Sequence, residues 1–139
     1  MSYLLDTNVI SELRKGERAD ANVTAWFADV AEEEIFLSVL TIGEIRRGIE
    51  SVRRRDPDSA AALDRWLNLV SEAHGDRVVP IDRTIAEEWG RMNAPDPLPV
   101  VDGLLAATAR VLSLTLVTRN VGDIASTEVE LLDPFAGFQ

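Results

Sequence analysis

Four carboxylates occupy positions from which they could hold a metal ion. Asp6 follows directly on the apolar run Tyr3-Leu4-Leu5, and Glu44 lies shortly beyond Ile35-Phe36-Leu37-Ser38-Val39. Asp123 comes after Leu114-Thr115-Leu116-Val117, past Thr118-Arg119-Asn120. Asp102 interrupts the apolar stretch Val100-Val101-Asp102-Gly103-Leu104-Leu105-Ala106-Ala107, whose composition predicts burial. A buried carboxylate is costly unless a helix N-terminus, a metal ion or both offset its charge. Hard cations such as Mg²⁺ and Mn²⁺ prefer oxygen donors and are held by a few carboxylates while keeping several waters. One such ion can lower the pKa of a bound water, and a second, roughly 4 Å away, can stabilise a leaving oxygen. That is the chemistry of phosphodiester hydrolysis. It needs no side-chain nucleophile, which suits a chain with one histidine and no cysteine.

The elements that must position these acids alternate between short β-favouring runs and longer stretches of helical period. Tyr3–Leu5 reads as a first strand, followed by capping side chains at Asp6-Thr7-Asn8 and a short helix over Val9–Arg14 that Gly16 stops. Asp20–Asp29 has helical spacing of Val23, Trp26, Phe27 and Val30. Ile35–Val39 is a second strand, and Thr41 with Glu44 three residues on has the form of a capping box opening a helix to about Arg55. A helix over Ser59–Ala73, a strand over Val78–Ile81 and a helix capped by Asp82 and ending near Met92 come next. Pro95, Pro97 and Pro99 mark a rigid loop before a helix over Val100–Leu112, a strand over Leu114–Val117 and a short fifth strand over Val129–Leu132. This alternation predicts an α/β domain with a central parallel sheet of four to five strands and helices on both faces. In such sheets functional groups gather beyond the carboxyl ends of the strands, so Asp6, Glu44 and Asp123 are expected at one edge.

The chain's 139 residues suit a single domain spanning 1–139. The absence of cysteine excludes a disulfide framework and a thiolate zinc site. No basic segment precedes an apolar one at the N-terminus, and no apolar run reaches the roughly 20 residues of a membrane span. The expectation is a soluble, cytoplasmic protein with no membrane partner. A net charge of −10 runs against the basic footprint usual in nucleic-acid enzymes. Either the chain does not touch nucleic acid, or part of the acid excess binds divalent cations that then face phosphate. An acidic surface also suits a basic partner.

Each acid has a plainer role when taken alone: Asp6 as a helix cap, Glu44 as the capping-box acid, Asp123 as a turn residue, Asp102 as a cap behind Pro99. Their joint occurrence on one rim favours a site. Arg46, Arg47, Arg53, Arg54 and Arg55 form the only dense basic tract. It reads as a solvated helix face, with Arg46 and Arg47, close to Glu44, the candidates for contact with an RNA backbone. His74 reads as a surface residue, and Trp26, Trp66 and Trp89 as core or interface. A dehalogenase-type phosphatase would need a second aspartate where Asn8 stands. A phosphoacceptor domain would need a late lysine, and none follows Lys15.

The same residues carry a family resemblance. Leu4-Leu5-Asp6-Thr7-Asn8-Val9-Ile10-Ser11, Leu37 to Ile49 around Glu44, Val101 to Ala109 around Asp102, and Leu116 to Ile124 around Asp123 resemble, in order, the four motifs of PIN domains. The likeness spans almost the whole chain and is greatest to VapC toxins of bacterial type II toxin–antitoxin modules, in the branch related to FitB. It implies a Mg²⁺- or Mn²⁺-dependent endoribonuclease acting on RNA. A homodimer neutralised by a small VapB-type antitoxin is implied as well, touching DNA only through that antitoxin. The resemblance makes Asp6, Glu44, Asp102 and Asp123 the metal-binding and catalytic acids. Thr7, Asn8, Thr118 and Asn120 match polar positions that orient those acids or water. Many relatives have Phe where this chain has Ile124, an apolar exchange. A catalytically inactive PIN-like module that only binds an antitoxin-like partner is the alternative.

Overall fold

The computed structural model describes residues 1–137. Its β-favouring runs form β1 (Tyr3–Leu5), β2 (Ile35–Ser38), β3 (Val78–Val79), β4 (Thr115–Val117) and β5 (Leu131–Leu132). The helical stretches form α1 (Thr7–Leu13), α2 (Ala21–Ala28), α3 (Val39–Arg53), α4 (Pro57–His74), α5 (Arg83–Met92), α6 (Val100–Leu112) and α7 (Val121–Ile124). All five strands are parallel, in the order β3-β2-β1-β4-β5. β1 is central, with Tyr3 opposite both Ile35 and Thr115, and Leu5 opposite Val117. Strand order therefore reverses direction between β1 and β4, and the crevice beyond their carboxyl ends is where a doubly wound sheet presents a site.

Alternation along β1 divides the core into two layers. Leu5 packs with Val9, Ile45, Ile49 and Leu67 under α1, α3 and α4, while Leu4 packs with Leu105, Ala106, Ala109 and Ile124 under α6 and α7. Leu4 and Leu5 are both fully buried; burying such a side chain contributes about 1.5–3 kcal/mol. Trp26 and Trp66 belong to the larger layer, Trp26 meeting Tyr3 edge-to-face with ring centroids 5.2 Å apart, as their spacing with aliphatics predicts.

Several boundaries move, each for a local reason. Helix α1 begins at Thr7, because Asp6 turns its own carboxylate onto the Thr7 N–H at 2.7 Å. Helix α4 begins at Pro57, with Asp56 as cap, so the proline opens this helix as well as ending the previous one. The capping box at Thr41 and Glu44 is not what starts α3. The helix begins at Val39, two residues earlier, where buried Ser38 accepts the Leu40 N–H at 3.0 Å. Thr41 thus lies inside the helix and is buried, and Glu44 projects from its second turn. β3 ends at Val79, before Pro80, which has no N–H to give a ladder.

One glycine is required by close packing. A Cβ at Gly103 would stand 2.9 Å from both side-chain atoms of Asn93 and 3.0 Å from Trp89 Nε1. Asn93 cannot give way freely, because its Nδ2 donates to Trp89 O at 2.8 Å and its Oδ1 accepts the Leu98 N–H at 2.9 Å. Helix α6 is thereby set tightly against α5 at the residue next to Asp102. Gly48, by contrast, has nothing within 4 Å of its added Cβ. Gly103→Ala is expected to destabilise the protein by about 1–3 kcal/mol through overpacking, whereas Gly48→Ala in exposed α3 should stabilise it by about 0.4–1 kcal/mol. Urea midpoints check both; equal midpoints for the two variants would refute the close approach of α5 and α6.

Candidate active site

The carboxyl edge of β1 and β4 brings a hydrogen-bonded group together around Asp6. The Asp6 N–H continues the ladder to Val117 O at 2.9 Å, leaving its side chain at the strand ends, only 5% exposed. Thr118, buried just after β4, donates its hydroxyl to Asp6 Oδ2 at 2.8 Å. Asn8 donates from Nδ2 to the same oxygen and to Thr118 Oγ1, both at 3.4 Å. The Asn120 N–H donates to Thr118 Oγ1 at 3.0 Å, fixing that hydroxyl from behind. Asn120 contributes its backbone here; its side chain makes no cap on α7. Thr7 reaches across to α3 and donates its hydroxyl to Glu44 Oε1 at 2.5 Å. The four polar positions singled out from sequence therefore all lie in the network that holds Asp6 or Glu44.

Asp102 enters from α6, in the first turn but not as its cap. Pro99 occupies the cap position, and among the described residues no donor reaches the Asp102 carboxylate. It is half-buried, less enclosed than its apolar neighbours suggest, while Gly103 beside it is buried. Asp123 is exposed on α7, its backbone N–H bonded to Asn120 O at 3.1 Å.

The electrostatics tie the four acids together. Loss of solvent raises the Asp6 carboxyl above its ordinary value; the Thr118 hydroxyl and the Thr7 amide pull it back, and Glu44 pushes it further up. Asp102 is raised as well, first by burial and then by the charges of Asp6, Asp123 and Glu44. Like charges thus crowd one edge, and among the described residues no cation is bonded to any of them. The donor set is hard oxygen throughout, the chemistry of Mg²⁺ or Mn²⁺ rather than of a softer metal. Among the described residues no three acids or histidines already stand in chelating geometry. The acids form a charged edge, not a closed cage.

Of the basic residues near this edge, Arg46 is already engaged, by Asp64 at 2.5 Å and Glu50 at 3.3 Å. Arg47 is exposed and lines a shallow groove with Val39, Gly43, Glu44 and Val101. Sequence reasoning passed over Arg119, between Thr118 and Asn120. Its backbone N–H donates to Asn8 Oδ1 at 3.2 Å, and its guanidinium lies 4.1 Å from the centroid of the Phe135 ring. Ser38 was likewise missed, although a serine at the end of an apolar run is a recognisable cap.

Comparison with known proteins agrees with this architecture. A family model described as the PIN domain matches residues 3–126. The chain is similar to Toxin FitB of Neisseria gonorrhoeae, at 28% identity over 95% of this chain and 97% of that one. It is similar to Ribonuclease VapC14 of Mycobacterium tuberculosis at 43% identity, over 49% of this chain and 65% of that one. Among solved structures, that of FitAcB from Neisseria gonorrhoeae superposes with a TM-score of 0.75 at 26% identity, covering 96% of this chain and 98% of the other.

A folded-state pKa above the unfolded one means that the native state binds the proton more tightly, so the carboxylate form opposes folding. For Asp6 and Asp102 this penalty is full above their raised folded values. It vanishes as pH falls towards the ordinary 3.8. Asp102→Asn should therefore raise the melting temperature of the metal-free protein at pH 7. The gap from wild type should close as pH approaches 4. Thermal melts in EDTA across that range check it; a variant less stable than wild type at pH 7 would refute the repulsion.

Proposed function

The chain belongs to the PIN-domain family, and on that premise we propose that it is a divalent-metal-dependent endoribonuclease, the toxin of a VapBC-type toxin–antitoxin pair. The observation that carries this reading is Asp102: a half-buried acid without a donor, set against Asp6, Asp123 and Glu44. A structural role leaves only the helix N-terminus to offset its charge, whereas a cation adds to that. The names of its relatives agree: FitB is a toxin, and VapC14 is a ribonuclease.

Asp6, Glu44, Asp102 and Asp123 would hold Mg²⁺ or Mn²⁺. Such an ion, when bound, acidifies water and neutralises phosphate charge. The chain's own residues supply orientation. Thr118 and the Thr7 amide fix one oxygen each of Asp6, so that its carboxylate presents a set direction. Thr7 fixes Glu44 in the same way from the start of α1, making one residue the link between β1 and α3. Arg47, free of ion pairs among the described residues, is placed to meet the RNA backbone on the α3 side, where Arg46 is held away by Asp64. A small VapB-type antitoxin is the proposed partner, with DNA contact made through it. No helix among the described residues is long and apolar enough to cross a membrane.

Asp6→Asn and Asp102→Asn should each reduce RNA cleavage by at least about 10³-fold while leaving the far-ultraviolet circular dichroism of the folded protein unchanged. EDTA should abolish cleavage, and added Mg²⁺ or Mn²⁺ restore it. Gel assays of purified protein on total RNA check both; wild-type cleavage by either variant, or full activity in EDTA, would overturn the proposal.

A further inference from the structure

Charge around the site is unevenly distributed. The acids of the edge repel any phosphodiester, and several arginines elsewhere are committed: Arg46 and Arg53 to Asp64 and Glu50, Arg91 and Arg110 to Glu88, and Arg77 to backbone carbonyls. Arg119 is uncommitted, and among the described residues it is the arginine that is seated on an aromatic ring. Among the described residues its guanidinium has no ion pair and no hydrogen bond, and it is exposed. Yet its position is fixed at both ends. Its backbone N–H is held by Asn8 Oδ1, and Asn8 in turn donates to Asp6, so the residue stands next to the innermost acid. Its guanidinium lies over the Phe135 ring at 4.1 Å.

That ring is itself anchored. The Phe135 N–H donates to Asp133 Oδ1 and the Phe135 carbonyl accepts from Asn22 Nδ2, both at 2.9 Å, while the side chain packs on the larger core layer. A guanidinium seated on an aromatic face keeps its N–H donors directed outward in its own plane. Such a planar fork matches the paired oxygens of a phosphate. The nearby carboxylate of Glu12 does not capture it, being bonded to Lys15 at 3.0 Å and to the Asp20 N–H at 2.9 Å.

From this geometry we infer that Arg119 is a phosphate-binding residue, gripping the RNA backbone beside the acid edge from a fixed seat on Phe135. The inference rests on the ribonuclease reading above and adds to it the residue that draws phosphate towards a repelling site. Arg47, on α3 in the groove that Glu44 lines, is an exposed arginine without an ion pair on a separate element. An acidic peptide of a protein partner offers carboxylates of similar shape, but the acid edge beside Arg119 calls for a group that also faces a metal ion, and a phosphodiester is that group.

The test is fluorescence anisotropy of a labelled, mixed-sequence single-stranded RNA bound by the full chain in Mg²⁺. An Asp6→Asn background lets binding be read without cleavage. Arg119→Ala should weaken binding about tenfold at low salt, and the slope of log K against log salt should become shallower by about 0.7, the value of one phosphate contact on a single strand. Arg119→Lys should restore that slope but not the affinity, because the ammonium lacks the fork. Phe135→Ala should weaken binding with the slope unchanged, since the charge remains but loses its seat. If the Asp6→Asn protein binds RNA and Arg119→Ala leaves both affinity and slope unaltered, the inference is wrong and the ribonuclease reading stands. If Arg119→Ala instead abolishes binding of a labelled polyglutamate peptide while sparing RNA, the residue serves a protein surface and the inference is again wrong. If neither the Asp6→Asn protein in Mg²⁺ nor the wild type in Ca²⁺ binds RNA at any salt concentration, the ribonuclease reading falls and the inference with it.

Discussion

A carboxylate that has lost nearly all its water sits where β1 meets β4, and much of the site's arrangement serves to keep it there. Asp6 is compensated chiefly by one hydroxyl and one backbone amide, from Thr118 and Thr7, with a longer bond from Asn8. Both partners depend on the sheet. Thr118 reaches Asp6 only because Leu5 pairs with Val117, and Thr7 because the chain turns into α1 at once. Hydrogen bonds to a charged acceptor contribute about 1.5–3 kcal/mol each, comparable with what desolvation takes away, so neither can be spared. The remaining acids arrive from opposite layers: Glu44 on α3, over the larger core layer, and Asp102 on α6, over the smaller. Convergence of both layers on one strand junction is a property of the strand order, and it is what a reversal between β1 and β4 provides.

The sheet and its acids were legible in the sequence because they are signalled locally. Apolar runs name the strands, an acid directly after a run falls at the strand's end, and an aspartate inside an apolar helix announces an unusual environment. What was not legible depends on contacts distant in sequence, or on competition between local signals. Thr41 and Glu44 satisfy the spacing of a capping box, yet Ser38 comes first along the chain and takes the role, which turns Glu44 from a backbone partner into a carboxylate that meets Thr7. Gly103 looks like a weak point in a helix until Asn93 and Trp89 are seen against it. Arg119 and Phe135 share no periodicity and no motif, and only the return of the chain after β5 brings the ring beneath the guanidinium.

The acid excess that runs against a nucleic-acid ligand is sharpened by pairing. Arg46 and Arg53 both bond to Asp64 across the gap between α3 and α4, and both meet Glu50. Asp64 is held below its usual range by Arg46 first and Arg53 second. Exposed pairs of this kind are individually weak, and their importance here lies elsewhere: they remove two arginines of the densest basic tract from contact with any partner. A basic run in sequence is therefore a poor guide to where positive charge is available. The cations left beside the acid edge are single residues on separate elements, a pattern that composition cannot display.

Placing Asp102 in the first turn of α6 offsets only part of its charge. The positive end of a helix offsets a carboxylate there by about 0.3–1 kcal/mol, which falls short of what half-burial beside three like charges demands. Among the described residues no hydroxyl or amide supplies Asp102 with the donor that Asp6 has. The two acids are thus treated differently by one scaffold: the inner one is locked by protein groups, the outer one is left with coordination capacity unspent. Locking α6 against α5 through Gly103 adds to that distinction, because it fixes the backbone beside Asp102 without engaging its oxygens. Rigid placement of a carboxylate together with deliberate lack of a partner is the combination that a site for an external cation requires and that a purely structural acid does not.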